Sequence, residues 1–175
     1  AKTTANNYKG YRINILDTPG HADFGGEIKR IMNMLDGVIL VVDAYEGTMP
    51  QTRFVLKKAL EANVKPIVVI NKVDKPTARV GKVLDEVIDL FIELGATDEQ
   101  LDFKVAYVSA LNGTASLDPD INTQTDSYDD IFKLIIDEIP EPKVDENHAL
   151  QFQPALLDYN DYVGRIGIGL VKSGN

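Results

Sequence analysis

The sequence predicts an α/β fold, in which a doubly wound, mostly parallel sheet is followed by the first strands of an all-β barrel domain. Four short runs are almost uniformly apolar: Arg12–Leu16, Val38–Val42, Pro66–Ile70 and Val105–Val108. Such runs are typical of strands in a parallel sheet that is covered on both faces. Helical patterns alternate with these runs, which indicates a doubly wound domain whose ligands bind beyond the carboxyl ends of the strands.

Four amphipathic segments predict the helices that cover the sheet. The first follows Gly20, and the second opens at Thr48. The third runs from Val80 to Phe91, and the fourth spans 127–139 and ends before Pro140. In the second helix, Thr48 and Gln51 have the spacing of a capping box, and Pro50 suits the first turn. Gly95 is expected to end the third helix in a left-handed conformation.

Hairpin patterns flank the α/β region. Residues 2–7 and 11–16 surround a Tyr8–Gly10 turn, and residues 150–158 and 162–172 surround an Asp158–Asp161 turn. We therefore expect an α/β domain over 1–142, a linker over 143–149 and the start of a β-barrel domain over 150–175.

Composition excludes several classes of protein. The 175 residues include 18 Lys and Arg, 27 Asp and Glu and no cysteine, so the formal charge is −9. Disulfides and thiolate metal sites are therefore excluded, and the longest apolar stretches, such as Gly37–Val42, are too short to span a membrane. Residues 114–147 carry −8 of this charge, which is typical of a solvated loop and helix face. Because there is no basic excess, we expect no DNA partner and no broad electrostatic contact with RNA.

A carboxylate, a glycine and a histidine follow the first apolar run. Asp17 is suited to hold Mg²⁺ through water, because this ion keeps several waters and takes few protein carboxylates. The N–H of Gly20 can approach a phosphate closely, since glycine has no Cβ. The segment Asp17-Thr18-Pro19-Gly20 is also a good turn sequence, which leaves a structural role open. His21 stands where a water-orienting residue is needed for attack on a γ-phosphate, although a lone histidine is usually structural or exposed.

Asn71, Lys72 and Asp74 follow the run Pro66–Ile70 and provide groups that read a guanine base. An aspartate accepts hydrogen bonds from both the N1–H and the 2-amino group of guanine, whereas adenine would leave that carboxylate unpaired. The aliphatic stem of Lys72 can cover the base, and Asn71 can tie neighbouring loops together. Asn-Lys-x-Asp is uncommon by chance at a strand end, so this motif is the most specific of the three.

Ser109, Ala110 and Leu111 follow the run Val105–Val108, and their backbone N–H groups can reach the O6 acceptor of guanine. By itself this tripeptide is a weak signal. The three segments occur in order, with about 50 residues between the first two and about 34 between the last two, which argues against chance.

These segments correspond to the G3, G4 and G5 motifs of a GTPase, and the histidine after Asp-Thr-Pro-Gly resembles the translation-factor branch. Longer stretches resemble the BipA/TypA family of ribosome-associated GTPases: Ile13–Gly26, Asp43–Arg53, Glu93–Phe103 and Leu157–Gly169. The stretches Glu93–Phe103 and Leu157–Gly169 distinguish this family from the elongation factors and LepA. The resemblance covers nearly the whole chain, and residues 115–126 are its least family-like part.

The resemblance implies a P-loop-NTPase-like fold and a cytoplasmic GTPase that binds GTP and GDP with Mg²⁺. It implies that the protein acts on the ribosome, in ribosome assembly or stress-linked translation. It assigns Mg²⁺ to Asp17 through water, the γ-phosphate to Gly20 and the hydrolytic water to His21. The residues implied to contact the nucleotide are Asp17, Thr18, Pro19, Gly20, Asn71, Lys72, Asp74, Ser109, Ala110 and Leu111.

No Gly-x-x-x-x-Gly-Lys-[Ser/Thr] phosphate loop occurs in the sequence, and the family's switch threonine would lie before Ala1. In this fold, the strand that leads into the phosphate loop is central, between Arg12–Leu16 and Val38–Val42. Its absence would expose about five apolar side chains and cost on the order of 10 kcal/mol, comparable with the net stability of a domain. We therefore expect the chain to be a fragment that binds GDP weakly and hydrolyses GTP negligibly by itself.

Two other hypotheses stay open at this level. Because the phosphate loop is absent, the chain could be a nucleotide-independent binding or scaffold module. An adenine-nucleotide enzyme is a weaker alternative, since the Asp74 carboxylate disfavours adenine.

Overall fold

A computed structural model of the chain describes residues 2–17, 30–143, 145 and 147–174. The strands are β1 (Lys2–Tyr8), β2 (Tyr11–Asp17), β3 (Gly37–Asp43), β4 (Lys65–Asn71), β5 (Lys104–Ser109), β6 (Thr114–Ser116), β7 (Gln151–Asn160) and β8 (Gly164–Ser173). The helices are α1 (Pro50–Glu61), α2 (Val80–Glu93), α3 (Asp98–Leu101) and α4 (Asp129–Glu138), with a 3₁₀ turn at Ile121–Thr123. Residues 30–32 are also helical, and the rest of the first predicted helix lies outside the described residues.

The main sheet has the strand order β3-β4-β5-β6. Strands β3, β4 and β5 are parallel, with Asp43 opposite Asn71 and Asn71 opposite Val108. Strand β6 joins this sheet antiparallel to β5, and its three residues are too few to show a period in the sequence. Each of the four predicted apolar runs lies inside one of the strands β2 to β5, and the predicted α/β class is confirmed.

Helices cover both faces of the main sheet, as in a doubly wound fold. One face packs against α1 and α2 in a cluster that includes Leu56, Val68 and Phe91. The opposite face packs against α4 and includes Val69 and Ala106. Val68 and Val69 are adjacent but buried on opposite faces, which explains why β4 has a continuous apolar sequence instead of an alternating one.

Helix α1 begins one residue later than the capping box at Thr48 predicts. Its first residue is Pro50 and its N-cap is Met49. The predicted capping box of Thr48 and Gln51 is therefore wrong. Instead, the hydroxyl of Thr52 accepts a hydrogen bond from the Met49 N–H at 3.3 Å. Proline sets the start because its fixed φ suits the first helical position, where its missing N–H needs no partner.

Helices α2 and α4 are present close to their predicted positions, although α4 begins at Asp129 instead of Ser127, and the four-residue helix α3 is not among the predicted helices. Helix α2 ends just before Gly95, which has a φ of +77° and donates its N–H to Ile92 O at 3.0 Å. Helix α4 ends before Pro140, as predicted, although none of its residues is fully buried. No helix in the described part of the chain is both long enough and apolar enough to cross a membrane.

Both predicted hairpins are present, and the second differs in its turn. Strands β1 and β2 pair over their whole length around a two-residue turn with positive φ. Strands β7 and β8 pair around residues 161–163, not around Asp158–Asp161 as predicted. The Asn160 side chain accepts hydrogen bonds from the N–H groups of Tyr162 and Val163 at 2.8 and 3.4 Å, which closes the turn further along the chain.

A gap separates the first hairpin from the main sheet. Strands β1 and β2 form a sheet of their own, and within the described residues β2 is not hydrogen-bonded to β3. On the α4 side of β3, Ile39 and Val41 are 41% and 57% exposed. A cavity of about 590 Å³ lies between β2, the start of β3, the end of α4 and β8. Among the described residues no strand lies between β2 and β3, and the apolar face of α4 is half-buried.

The acidic stretch after β6 is ordered by its own hydrogen bonds. The backbone groups of Ala115 and Thr125 exchange two hydrogen bonds of 3.0 Å. Asp118, Asp120 and Asp126 are exposed. Across the described ranges, no group of three or more His, Cys, Asp or Glu residues is arranged to hold a metal ion. The stretch is therefore the solvated loop that the charge pattern predicts.

Candidate functional site

Loops meet at the carboxyl edge of the parallel sheet, which is where a doubly wound fold binds its ligands. Strands β3, β4 and β5 end at Asp43, Asn71 and Ser109. Asp43 is in register with Asn71, and Asn71 is in register with Val108, the neighbour of Ser109. The structure therefore brings two of the three predicted segments together and adds a carboxylate from β3.

The side chain of Asn71 ties the loops after β4 and β5 together. Its Oδ1 accepts hydrogen bonds from the Lys72 N–H at 2.7 Å and from the Ala110 N–H at 3.1 Å. The backbone carbonyl of Asn71 accepts from the Ala44 N–H at 2.8 Å, which adds the loop after β3. The loop-tying contact predicted for Asn71 from the sequence is thus present.

Replacing Asn71 with Ala is expected to loosen the loop after β5, because the Ala110 N–H loses its acceptor. We expect the free energy of unfolding to fall by about 1 kcal/mol and the amide exchange rate at Ala110 to rise. Hydrogen exchange followed by NMR measures both. Asn112→Ala is a matched control, because Asn112 donates to Ser109 Oγ through its backbone N–H and not through its side chain. Equal protection of the Ala110 amide in the two variants would contradict the tie.

Lys72 is held at both its backbone and its ammonium group. Its φ is +67°, in the left-handed region, and its Nζ lies 2.5 Å from Asp43 Oδ2. The side chain of Lys72 is 47% exposed, whereas that of Asp43 is 12% exposed. The aliphatic stem of Lys72 therefore spans the distance from the end of β4 to the end of β3.

The Asp43 carboxylate is ionised at neutral pH. Burial by itself would raise its pKa, but hydrogen bonds from Lys72 and from the N–H groups of Tyr45 and Glu46 lower the pKa to about 2. These two N–H groups donate to Oδ1 at 2.8 and 3.2 Å. The hydrogen bond and charge of Asp43 in turn raise the pKa of Lys72.

Arg79 holds the loop that follows Asp43 against helix α2. Its Nε donates to Tyr45 O at 2.6 Å, and its Nη1 donates to the Glu86 carboxylate. Gly47 closes this loop with a φ of +75°, and a Cβ there would lie 2.0 Å from Glu86 Oε2. The loop that orients Asp43 is therefore fixed by α2, and the positive φ of Gly47 disfavours any residue with a Cβ there, which would also have to displace the end of the Glu86 side chain.

Asp74 lies three residues beyond β4 and is half-buried. Its segment is fixed by the Val73 N–H, which donates to Val108 O at 3.3 Å. Within the described residues, Asp74 forms no side-chain hydrogen bond or ion pair. Its carboxylate is therefore available to a ligand at this edge of the sheet.

The loop after β5 begins buried and then becomes exposed. Ser109 is fully buried, and its Oγ accepts a hydrogen bond from the Asn112 N–H at 3.3 Å. Ala110 is exposed and Leu111 is 89% exposed. Of the three predicted N–H donors in this loop, that of Ala110 is bonded to Asn71 in the structure.

The first predicted segment is described only at Asp17. This residue ends β2 and is exposed, and β2 lies outside the main sheet, so Asp17 is not joined to the other two segments. Thr18, Pro19, Gly20 and His21 lie outside the described residues. A single exposed carboxylate fits a Mg²⁺ ion held mainly by water and phosphate oxygens, because such ions take one or two protein carboxylates.

Asp43 is absent from the set of site residues predicted from the sequence. The signal was available, because Asp43 directly follows the run Val38–Val42 just as Asn71 follows Pro66–Ile70. Polar residues at the ends of neighbouring parallel strands converge at one edge of the sheet. Applying that rule to β3 would have placed Asp43 at the site.

The fold and this edge of the sheet define a GTP-binding domain. Residues 1–141 match the family described as the elongation factor Tu GTP binding domain, and the chain belongs to that family. The structure of elongation factor SelB from Methanococcus maripaludis with the GTP analogue GppNHp is similar, with a TM-score of 0.74 and 23% identity. That comparison covers 99% of this chain and 36% of the SelB chain, and it supports the fold.

Sequence relatives confirm the resemblance to the BipA/TypA family. The chain is 65% identical over 174 residues to the large ribosomal subunit assembly factor BipA of Bacillus subtilis strain 168. It is 57% identical to the BipA of Escherichia coli strain K12 over 174 residues, and 55% identical to that of Haemophilus influenzae over 175 residues. These alignments cover at least 99% of this chain and 28% of each relative. The chain therefore spans just over a quarter of the length of these relatives.

Proposed function

We propose that this chain is the guanine-reading part of the GTP-binding domain of a ribosome-associated GTPase. The observation that carries the proposal is the arrangement of Asn71 and Asp74 at the carboxyl edge of the sheet. Asn71 ties two loops through the Ala110 N–H at 3.1 Å, and the Asp74 carboxylate has no partner among the described residues. A rigid frame with one available carboxylate is what recognition of a base edge requires.

Guanine suits this frame better than adenine does. The N1–H and 2-amino groups of guanine both donate hydrogen bonds, and the carboxylate of Asp74 accepts both. In the loop Ser109–Leu111 the Ala110 N–H is bonded to Asn71, so the O6 acceptor is left to the other N–H groups of the loop, and the stem of Lys72 covers the base. Adenine has an acceptor at N1 and no 2-amino group, so it would leave the Asp74 carboxylate unpaired and desolvated.

The proposal assigns the phosphates to the segment that begins at Asp17. Asp17 would hold Mg²⁺ through water, and the ion would neutralise charge on the phosphate oxygens. Thr18 and Pro19 would lie beside the nucleotide, and the N–H of Gly20 would contact the γ-phosphate. His21 orients the water that attacks the γ-phosphate.

The ribosome is the proposed partner of the intact protein, of which this chain supplies one part. The relatives of 65% and 57% identity are named large ribosomal subunit assembly factors, which supports a cytoplasmic role in ribosome assembly or stress-linked translation. In this proposal, residues 1–142 are part of the GTP-binding domain, 143–149 are a linker, and 150–175 begin a β-barrel domain.

Hydrolysis of GTP by the intact protein and by this chain alone tests the proposal. We expect the intact protein with ribosomes to hydrolyse GTP and leave ATP unchanged. We expect the chain alone to release negligible phosphate and to bind fluorescent GDP weakly with or without Mg²⁺, because no phosphate loop is present in it. An inactive intact protein would contradict the GTPase assignment. Micromolar or tighter GDP binding by the chain alone would contradict the fragment interpretation.

A further inference from the structure

Asp43 uses its two carboxylate oxygens for two different contacts. Oδ1 accepts from the N–H groups of Tyr45 and Glu46 at 2.8 and 3.2 Å, which fixes the carboxylate on its own loop. Oδ2 accepts from Lys72 Nζ at 2.5 Å. A carboxylate held in this way offers a fixed acceptor, and the ammonium group of Lys72 is bound to it from the next strand.

The surroundings of this pair make its geometry rigid. The Asp43 side chain is only 12% exposed, and the loop after it is held to α2 by Arg79, whose Nε donates to Tyr45 O at 2.6 Å. At the other end, the Lys72 N–H donates to Asn71 Oδ1 at 2.7 Å. The Lys72 stem is therefore fixed at both ends although half of its side chain faces solvent.

We propose that Asp43 is a positioning residue for guanine binding, which acts by holding the ammonium of Lys72 so that the stem lies ready to cover the base. This inference rests on the proposed function and names a residue outside the Asn-Lys-x-Asp motif. Asp43 does not contact the nucleotide in this account. Its contribution is to reduce the number of conformations that Lys72 loses when the nucleotide binds.

The test uses the intact protein and the binding of a fluorescent GDP analogue, titrated to millimolar concentration. Asp43→Asn keeps the acceptor for the Tyr45 and Glu46 N–H groups but removes the charge that holds Lys72. We expect Asp43→Asn to weaken GDP binding about fivefold to tenfold. The matched control is Glu93→Gln, which removes the Arg53–Glu93 pair (2.6 Å) at the other end of α2 and should leave binding unchanged.

A double substitution distinguishes positioning from a general structural effect. In a Lys72→Met background, Asp43→Asn is expected to cause no further weakening, because the contact it removes is already absent. Equal weakening in both backgrounds would overturn the inference, since Asp43 would then act through its own loop. GDP binding that is unaffected by Asp43→Asn would overturn it as well.

If a variant fails to fold, a measurement on the unmodified intact protein still tests the inference. The side-chain NH₃⁺ signal of Lys72 in a ¹⁵N NMR spectrum should persist at mildly acidic pH, because bonding to Asp43 slows its exchange with water. Exchange of the Lys72 NH₃⁺ protons with water as fast as that of the exposed lysines, with loss of the signal, would overturn the inference. Unmodified protein that binds no GDP at all would instead overturn the proposed function, and the inference with it.

Discussion

Replacing Asp74 with Asn in the intact protein is expected to lower its affinity for GDP by about 10³-fold and to create a preference for xanthosine diphosphate. The amide of Asn offers one acceptor and one donor, so it repels one of the two donors on the guanine edge. Xanthine has a carbonyl in place of the 2-amino group and can accept from that amide. Displacement of a bound fluorescent nucleotide by GDP and by xanthosine diphosphate measures this change of preference.

Asp102→Asn provides a control for the loss of one negative charge. Asp102 lies before β5, at the opposite end of the strand from Ser109, and its side chain is 77% exposed. We expect this variant to bind GDP as the unmodified protein does. An Asp74→Asn variant that keeps its guanine preference would count decisively against the assignment of Asp74 to the base.

Replacing Phe91 with Ala is expected to lower the free energy of unfolding by about 3–5 kcal/mol. The side chain is fully buried in the cluster that joins α2 to the sheet, and its ring lies 4.5 Å from that of Phe103 between centroids. Truncation removes this buried area and leaves a cavity among side chains that cannot fully collapse. Hydrogen exchange of the β4 amides in the intact protein, measured with increasing urea, reports the loss.

The adjacent Ile92 supplies a matched control for Phe91. Ile92 lies on the same helix and is 58% exposed, so Ile92→Ala should change the free energy of unfolding by about 0.5 kcal/mol or less. Similar losses in the two variants would contradict the packing of α2 against the sheet. Phe91 lies in the core and not at the carboxyl edge that carries the proposed site. The Phe91→Ala variant should therefore bind GDP normally while it is folded and lose affinity only near its unfolding transition.

The strands of the main sheet could be predicted from the sequence because their signal is the composition of each strand itself. Strand β4 is buried on both faces, and its residues 66–70 are all buried. Helix α2 was equally clear, since its buried residues recur at helical spacing and Gly95 ends it in a left-handed conformation. Burial on a sheet or along a helix leaves a pattern that is local in the chain.

Features that depend on one bond or on very few residues could not be predicted in the same way. The N-cap of α1 shifts from Thr48 to Met49 because the geometry of Pro50 at the first helical position prevails over the predicted capping box. The turn between β7 and β8 moves because the Asn160 side chain bonds two later N–H groups. Strand β6 pairs through three residues, which is too short for any periodicity.

The candidate site shows the same division. Two strands with a clear signal end at Asn71 and Ser109, with Lys72 and Asp74 just beyond the first of them, and the structure places these two segments together. The bond between Lys72 and Asp43 joins positions 29 residues apart in the chain, and nothing local in the sequence indicates it. The position of Asp43 at the end of a strand places it at this edge of the sheet, but its bond to Lys72 depends on the pairing of β3 with β4, which sets Asp43 opposite Asn71.

Competition between nucleoside diphosphates for the intact protein is the most direct measurement of guanine recognition. GDP is expected to displace a bound fluorescent nucleotide at the lowest concentration. Inosine diphosphate lacks the 2-amino group and keeps one of the two donors to Asp74, so it should bind about tenfold more weakly, and ADP about 10³-fold more weakly or not at all. Displacement by ADP at the same concentration as GDP would contradict the account.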